Sequence, residues 1–575
     1  MTTLTTADLA PSAQPEPAPD PRPLSAPISR ALSLVVLVLL AALLVDVLFE
    51  GWVQQLFGHP GLPNAKGDPT WILADWPKNV KTGLFLLVLG FTVIKVAVDK
   101  SWRDFFTKAE LALVALGVIM AISGFFGGSG AVLIGQALFV YFRGVIVFFA
   151  WRAVRPTTKQ LKPILYLVGG IAVLNAGLAI VETLIGYPAY QWLGWTDLTW
   201  ARINRAHALL NHPNHLGHFL MIVEIGLIAW FSTKDKISKK LWFLFGFLAL
   251  GMSATQSRES AIGFVLAAVV IWWMRRRPVR PLAIALILVV GFTGLQLLNS
   301  TENRVTLEKR ILGVLAALHF GAGSSAEDQP GIPAREIRVL FYQQGAKLFV
   351  ERPVLGYGVG QFGGTVAFQH DPTWYKKFNF NLYGAKPDQV DSFWLHLAVE
   401  TGALGVLGYL VWLFFLIAPM VRSRTRGPDV SPYVLWGPPV VVAAVVAAFL
   451  SPSLEDQLFP VLFFTVLGLG WSALRRGDNA DTVPATLLAG PALSVTKFWR
   501  PAVLAEGATD DHLKFSWRSP KPAVADAAPA ASATGPAHAA PEPAVPEDSA
   551  ETAGQQADDG PDPGSEDATG RHRSG

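Results

Sequence analysis

Apolar runs close to the length of a membrane-spanning helix dominate this sequence. Of its 575 residues, 51% are hydrophobic and 16% are charged, and the mean hydropathy is +0.38. A helix needs about 20 apolar residues to cross a bilayer, and about twelve runs approach that length. The sequence therefore predicts an all-α polytopic membrane protein. The predicted spans are residues 31–49, 82–98, 109–126, 131–151, 163–186, 214–231, 241–256, 260–274, 281–298, 393–421, 434–450 and 459–474.

The positions of lysine and arginine predict how these spans are oriented. Basic residues cluster in every second link, for example at 100–108, 152–162 and 422–426, whereas the links at 127–130 and 451–458 contain none. Because short cytoplasmic links of membrane proteins are enriched in basic residues, both chain termini are predicted to be cytoplasmic.

Composition divides the chain into five segments. Residues 1–29 are predicted to be a disordered cytoplasmic tail rather than a signal peptide, because no cationic region leads into a cleavable apolar core. Transmembrane helices 1 to 9 occupy residues 30–298, and helices 10 to 12 occupy residues 393–475. Residues 299–392 form a large extracytoplasmic loop between helices 9 and 10, far longer than an ordinary connection. Residues 476–575 are predicted to be a mostly disordered cytoplasmic tail.

Charge and cysteine content exclude several classes of function. The formal net charge of +4 reflects the cytoplasmic basic links, and no basic run alternates with aromatic residues, so nucleic acid is not an expected partner. The chain has no cysteine, which removes disulfides, thiolate metal sites and a cysteine nucleophile. Membrane lipids are the partners that the composition itself predicts.

Several arginines lie on the predicted outer side, against the charge bias that sets the topology. Arg202 and Arg205 precede the sixth span, and Arg258 lies in a tight turn after the seventh span. Their presence there needs a reason, although Arg202 and Arg205, which are flanked by tryptophans, could equally be interfacial anchors. The structural alternatives for Arg258 are snorkelling to the headgroups and pairing with Glu259.

The long loop contributes further candidates. Arg335, Arg338 and Tyr342 are spaced to share one face of a helix. A Gly-x-Gly-x-Gly series follows at residues 356–360, which allows either close approach of the backbone to a ligand or a sharp turn. The series is not a dinucleotide fingerprint, because no βαβ unit surrounds it.

Three histidines, His212, His215 and His218, recur at the spacing of one helix face and raise the question of a metal site. No carboxylate lies among them in the sequence. Pro213 and Asn214 are typical of a helix start, with Asn214 as the cap. We therefore predict no metal ligands and no cofactor.

Asp391 stands at the mouth of the tenth span, where partial desolvation would make its carboxylate a usable base. The structural alternative is helix capping by Asp391 or Ser392. His396 lies about 140° around the helix from Asp391, so the two side chains cannot address one substrate atom.

Together these motifs resemble the O-antigen ligase and O-antigen polymerase family, bacterial membrane glycosyltransferases of the GT-C class. The likeness covers about residues 80–475. It is carried by Asn211-His212-Pro213-Asn214-His215-Leu216, by Thr255-Gln256-Ser257-Arg258, by residues 338–358 and by residues 391–405.

The resemblance implies a reaction. Family members use a polyprenyl-diphosphate-linked glycan as donor and a glycan acceptor, at the outer face of the bacterial inner membrane, in cell-envelope polysaccharide biosynthesis. Carried over by position, it implies that Arg258, Arg205 and Arg338 hold the diphosphate. Arg335, Asn214 and Tyr342 complete the candidate binding set.

One departure from the family pattern bears on the activity. Asp391-Ser392 stands where the ligase pattern has His and Asn, while the spacing to Gly402 is kept. Polymerase-like relatives accept Asp there, so the sequence favours an inverting, polymerase-like transferase with Asp391 as base. The alternatives are a ligase acting on a lipid or protein acceptor, a transporter or flippase of lipid-linked or anionic solutes, and a scaffold protein. Transporters usually show internal repeats, and this sequence shows none.

Metal removal tests the predicted chemistry. No Asp-x-Asp pair occurs in the outward loops, and arginine side chains would supply the positive charge instead of a divalent cation. We therefore expect full activity in EDTA, measured as glycan product from a lipid-linked donor. Activity lost in EDTA and restored by a divalent ion would implicate the histidines.

Overall fold

The computed structural model describes residues 25–61, 71–234, 236–275, 336–379, 390–423 and 430–476. In this part the chain is mostly helical, with one antiparallel pair of two-residue strands, β1 (His59–Pro60) and β2 (Trp71–Ile72). The helices are α1 (Ser25–Leu56), α2 (Trp76–Val98), a 3-10 turn (Trp102–Phe105), α3 (Lys108–Phe126), α4 (Ala131–Val154), α5 (Thr158–Ile185), α6 (Tyr187–Trp192), α7 (Thr199–Arg202), α8 (Pro213–Phe231), α9 (Lys239–Ala254), α10 (Arg258–Arg275), α11 (Glu336–Glu351), α12 (Thr365–His370), α13 (Trp374–Lys377), α14 (Phe393–Ser423), α15 (Pro432–Leu450) and α16 (Leu458–Arg476).

The helices confirm the all-α polytopic prediction. Each predicted span coincides with one of them except 281–298, which lies outside the described residues, as does Arg335. Eight described helices are long and apolar enough to cross a membrane: α1 to α5, α8, α14 and α15. The count of twelve spans stays a prediction.

Short polar motifs fix where several helices begin. A capping box of Thr107 and Glu110 starts α3, because each side chain binds the other residue's backbone N–H. The cap of α8 is His212, whose Nδ1 accepts from the N–H of Asn214 at 3.0 Å. The prediction that Asn214 caps this helix was wrong, because Pro213 already occupies the first helical position.

Helix α14 is broken at Gly402, which has φ 63° and ψ −165°. The break frees backbone groups on α14, and residues 353–363, here called the docking segment, bind them. Tyr357 N donates to Val399 O at 2.9 Å, and Ala403 N donates to Pro353 O at 2.8 Å. Because unpaired backbone groups are costly inside a membrane protein, this pairing makes the break tolerable.

Glycines allow this close approach. Gly356 and Gly358 have positive φ, and a side chain at Gly356 would overlap the backbone of Glu400. The glycine series of the loop therefore approaches the protein's own helix α14. Of the two uses left open by the sequence, the structure shows the turn, with close packing against α14.

Gly402→Ala should destabilise the protein. This combination of φ and ψ is almost restricted to glycine and costs an alanine about 1 to 3 kcal/mol, and the new Cβ would also overlap the carbonyl oxygen of Val354. Thermal unfolding in detergent should show a lower midpoint. Gly117→Ala in α3 is the matched control, because nothing lies within 4 Å of the added methyl group; an equal effect of both variants would contradict the strain argument.

Candidate active site

Two of the predicted arginine regions lie side by side. Arg205 Nε donates to the carbonyl oxygen of Thr255 at 3.1 Å. Gln256 Nε2 donates to Asn204 O at 2.8 Å. The segment before α8 is thus tied to the turn that precedes Arg258, although about 50 residues separate the two in the chain.

Arg205 is also bound to the start of α8. Its Nη2 donates to Asn214 Oδ1 at 2.6 Å, and its guanidinium group lies over the Trp200 ring, 5.4 Å from the ring centroid. The side chain is half-buried. Arg205 and Asn214, both predicted as site residues, are therefore direct partners.

Arg258 is the first residue of α10, and its side chain is exposed. The neighbouring Glu259 is buried, with its carboxylate 3.3 Å from His218 Nε2. Among the described residues Arg258 makes no ion pair, so the alternative in which it pairs with Glu259 is not what the structure shows. Its guanidinium group is accessible to an anionic ligand.

The histidines bind different partners. His215 Nε2 lies 2.8 Å from Asp456 Oδ2, and His215 Nδ1 lies 2.7 Å from Asn211 Oδ1. His218 faces Glu259, and His212 caps α8. The sequence motif itself contains no carboxylate, but other parts of the fold supply one to each of two histidines: Asp456 to His215 and Glu259 to His218. Over the described ranges no three potential ligands group around one point.

Asp456 belongs to a short connection between α15 and α16, residues 451–457, here called the acidic link. Burial acts to raise the pKa of Asp456, but the His215 imidazole and the Gln457 N–H outweigh it and hold this pKa well below its usual range. Asp456 is therefore ionised and bound to His215. Sequence reasoning missed it, although two adjacent acidic residues in a link without basic residues were a usable signal.

Asp391 lies beside the cap of α14. Ser392 Oγ accepts from Leu395 N at 3.2 Å, so Ser392 is the capping residue and Asp391 precedes it, half-buried. Tyr342 on α11 donates to Ser392 Oγ at 2.9 Å. Tyr342 therefore reaches the start of α14. Arg338 lies one helical turn before Tyr342 on α11, and its side chain is outside the described residues.

A second ionisable cluster is buried behind Asp391. His396 Nδ1 contacts Glu455, and His396 Nε2 lies 3.1 Å from Glu400 Oε1. Tyr141 OH lies 3.3 Å from Glu400 Oε2, and the same carboxylate accepts from Phe362 N at 2.9 Å. The cluster joins α4, α14, the docking segment and the acidic link. His396 is thus a structural partner of two carboxylates, which the sequence did not indicate.

The acidic link connects the two halves of the site. Glu455 binds His396 of α14, and the next residue, Asp456, binds His215 of α8. The carbonyl oxygen of Ser451 accepts from Phe393 N at 3.2 Å. Helix α8 carries Asn214 near its start, and helix α14 begins two residues after Asp391. The starts of both helices therefore flank this seven-residue segment.

His207 supports the segment that carries Arg205. Its backbone N–H and that of Ala208 both donate to Glu182 Oε2 at 2.8 Å, and its ring packs against Trp195. Burial lowers the pKa of His207 from 6.5 to about 4. The folded protein therefore contains the neutral imidazole.

His207→Gln should flatten the pH dependence of stability. Between pH 6.5 and about 4 the unfolded chain binds a proton at this position that the folded chain does not, so the wild-type protein loses stability as the pH falls through this window. Glutamine cannot titrate and still offers a donor for the Leu210 carbonyl oxygen. Thermal midpoints at pH 7 and pH 5 measure the effect. The exposed His370→Gln variant should behave as wild type, and an unchanged slope in His207→Gln would refute the assignment.

The fold is a polytopic helical membrane protein in which Arg258 begins α10, Arg205 is bonded to the start of α8, and the acidic link joins the starts of α8 and α14. Residues 242–410 match the family described as O-antigen ligase, which supports assignment of this part of the chain to that family. The matched range contains Arg258, Arg338 and Asp391. This match supports a glycosyl-transferring role in surface polysaccharide biosynthesis, and together with the apolar helices it supports a place in the bacterial inner membrane. A comparison with curated proteins gives no match.

Proposed function

We propose that this protein is a polymerase-like glycosyltransferase that joins polyprenyl-diphosphate-linked glycan units at the outer face of the membrane. The observation that supports it best is the bond from Arg205 to the Thr255 carbonyl oxygen, which brings two arginine motifs together beside the exposed Arg258. Permanent, forked cations at one place suit a dianionic diphosphate.

The reaction is an inverting displacement. The acceptor hydroxyl oxygen attacks the anomeric carbon of the donor sugar, and the bond from that carbon to the diphosphate oxygen breaks. Asp391 accepts the hydroxyl proton, and Arg258, Arg205 and Arg338 stabilise the negative charge that develops on the departing diphosphate. The binding set also includes Arg335, Asn214 and Tyr342.

Asp391 suits the role of base better than Asp456. The pKa of Asp456 is held low by its contact with His215, and a carboxylate with a lowered pKa is a weaker base. Asp456 instead fixes His215 beside Asn211 and so orders the start of α8. Asp391 lies one residue before the helix cap and next to the Tyr342 contact.

The choice between chain growth and final ligation is tested in cells. Aspartate at position 391, in place of the histidine of the ligase pattern, supports a polymerase, whereas the description of the matched family supports a ligase onto a lipid or protein acceptor. Deleting the gene should remove long surface glycans and leave single repeat units. Accumulation of lipid-linked polymer would instead establish the ligase.

A further inference from the structure

A cavity of about 480 Å³ lies between α11, α13 and the docking segment, apart from the arginines proposed to hold the diphosphate. Its lining includes Lys347 and Glu351 of α11, Arg352, Tyr357 and Lys377. Nothing in the proposed reaction uses these side chains.

The cavity has an excess of positive charge. Three cationic side chains and one carboxylate, that of Glu351, line the cavity. Glu351 already accepts a hydrogen bond from Tyr357 OH. Arg352 stacks on the Tyr357 ring, 4.6 Å from its centroid, and Lys377 donates to the amide oxygen of Gln361. In the described part of the chain none of the three cations forms an ion pair.

The other lining groups suit a sugar. The half-buried Tyr357 contributes aromatic surface to the lining, on which the apolar face of a sugar ring can pack, and the exposed amide of Asn379 can bind hydroxyl groups. Aromatic and amide groups together with unpaired cations recognise a sugar that carries a carboxylate.

The position of the cavity connects it with the reaction centre. Tyr342 touches the start of α14 beside Asp391, and Lys347 follows five residues later on the same helix. At 1.5 Å per residue this places Lys347 about 7 to 8 Å further along α11. Five residues also turn the side chain about 140° around the helix, so a glycan that runs along and partly around α11 from the reacting bond would bring a later sugar residue into the cavity.

We propose that this cavity is a binding subsite for an acidic sugar residue of the glycan chain, remote from the bond that reacts. The inference deepens the proposed function and rests on it for the identity of the ligand as a glycan. It specifies a repeat unit that contains a uronic acid or a sugar of the same charge.

Calorimetric titration of the purified full-length protein in detergent tests the subsite. Trigalacturonic acid should bind at least about tenfold more tightly than the neutral maltotriose, because each charge-assisted hydrogen bond contributes about one decade of affinity. Lys347→Gln and Arg352→Gln should each lower the affinity for trigalacturonic acid about tenfold. Lys376→Gln removes an exposed neighbouring lysine outside the cavity lining and should have no effect.

Three results would overturn the subsite: equal affinity for the two trisaccharides, unchanged affinity in the Lys347→Gln/Arg352→Gln double variant, or displacement by inorganic phosphate at equal concentration. Arg258→Ala separates this inference from the proposed reaction, since it should slow transfer by about 10² to 10³ and leave trigalacturonic acid binding intact. If the wild-type protein binds trigalacturonic acid as expected but transfers no glycan, the proposed reaction is rejected and the subsite is retained.

Discussion

Arg258→Ala should lower the rate of glycan transfer by about 10² to 10³, or about 2.7 to 4 kcal/mol in the barrier. The side chain is exposed at the start of α10 and has no ion-pair partner among the described residues, so its charge is available to the leaving diphosphate. Arg258→Lys should also be impaired, because an ammonium group cannot form two parallel hydrogen bonds to one phosphate. Initial rates with a purified lipid-linked donor measure both effects.

Arg202→Ala is the matched control for Arg258. Arg202 is exposed and lies three residues before Arg205, on the same predicted face of the membrane. It should retain the wild-type rate, because it contacts neither Asn214 nor the turn at Thr255. A normal rate in purified Arg258→Ala would remove the central arginine from the mechanism.

Asp391→Asn should reduce turnover by about 10² to 10⁴, with little change in donor KM. Asparagine has nearly the same shape but cannot accept the acceptor's proton, and the cap formed by Ser392 keeps the start of α14 in place. Single-turnover rates with a lipid-linked donor give the size of the loss.

Asp371→Asn, the same exchange in the same predicted outer region, is the control for Asp391. Asp371 binds the N–H of Thr373 at 2.8 Å and has no assigned part in transfer. Retained activity in Asp391→Asn together with loss in His215→Gln would assign the base function to the His215–Asp456 pair instead.

The membrane-spanning helices were predictable because hydropathy alone specifies them. The bilayer forces a long apolar run into a helix, so the runs ending at Phe126 and Phe231 coincide with the ends of α3 and α8. The break in α14 was not predictable in this way. Hydropathy predicts one span over residues 393–421 despite His396 and Glu400, and the groups that stabilise the break at Gly402 come from residues about 50 positions earlier.

The candidate site was predictable only in part. The arginines stand out because they oppose the topological charge bias, and the structure places Arg205 beside the turn before Arg258. Asp456 and His215 are about 240 residues apart, so no local pattern joins them. Glu455 and His396 were missed for the same reason. Partnerships between distant side chains depend on how the helices pack, and one sequence carries no direct record of this.

The docking segment has a consequence for how the protein is made. Residues 353–363 are synthesised before Gly402, so the backbone groups that they bind follow later in the chain. At ordinary rates of synthesis this interval lasts a few seconds. On the predicted topology, the glycine-rich stretch is outside the membrane without its partners during this time and is exposed to extracytoplasmic proteases and chaperones. Insertion of α14 then completes the pairing, which makes folding of the docking segment a late event that depends on the following helix.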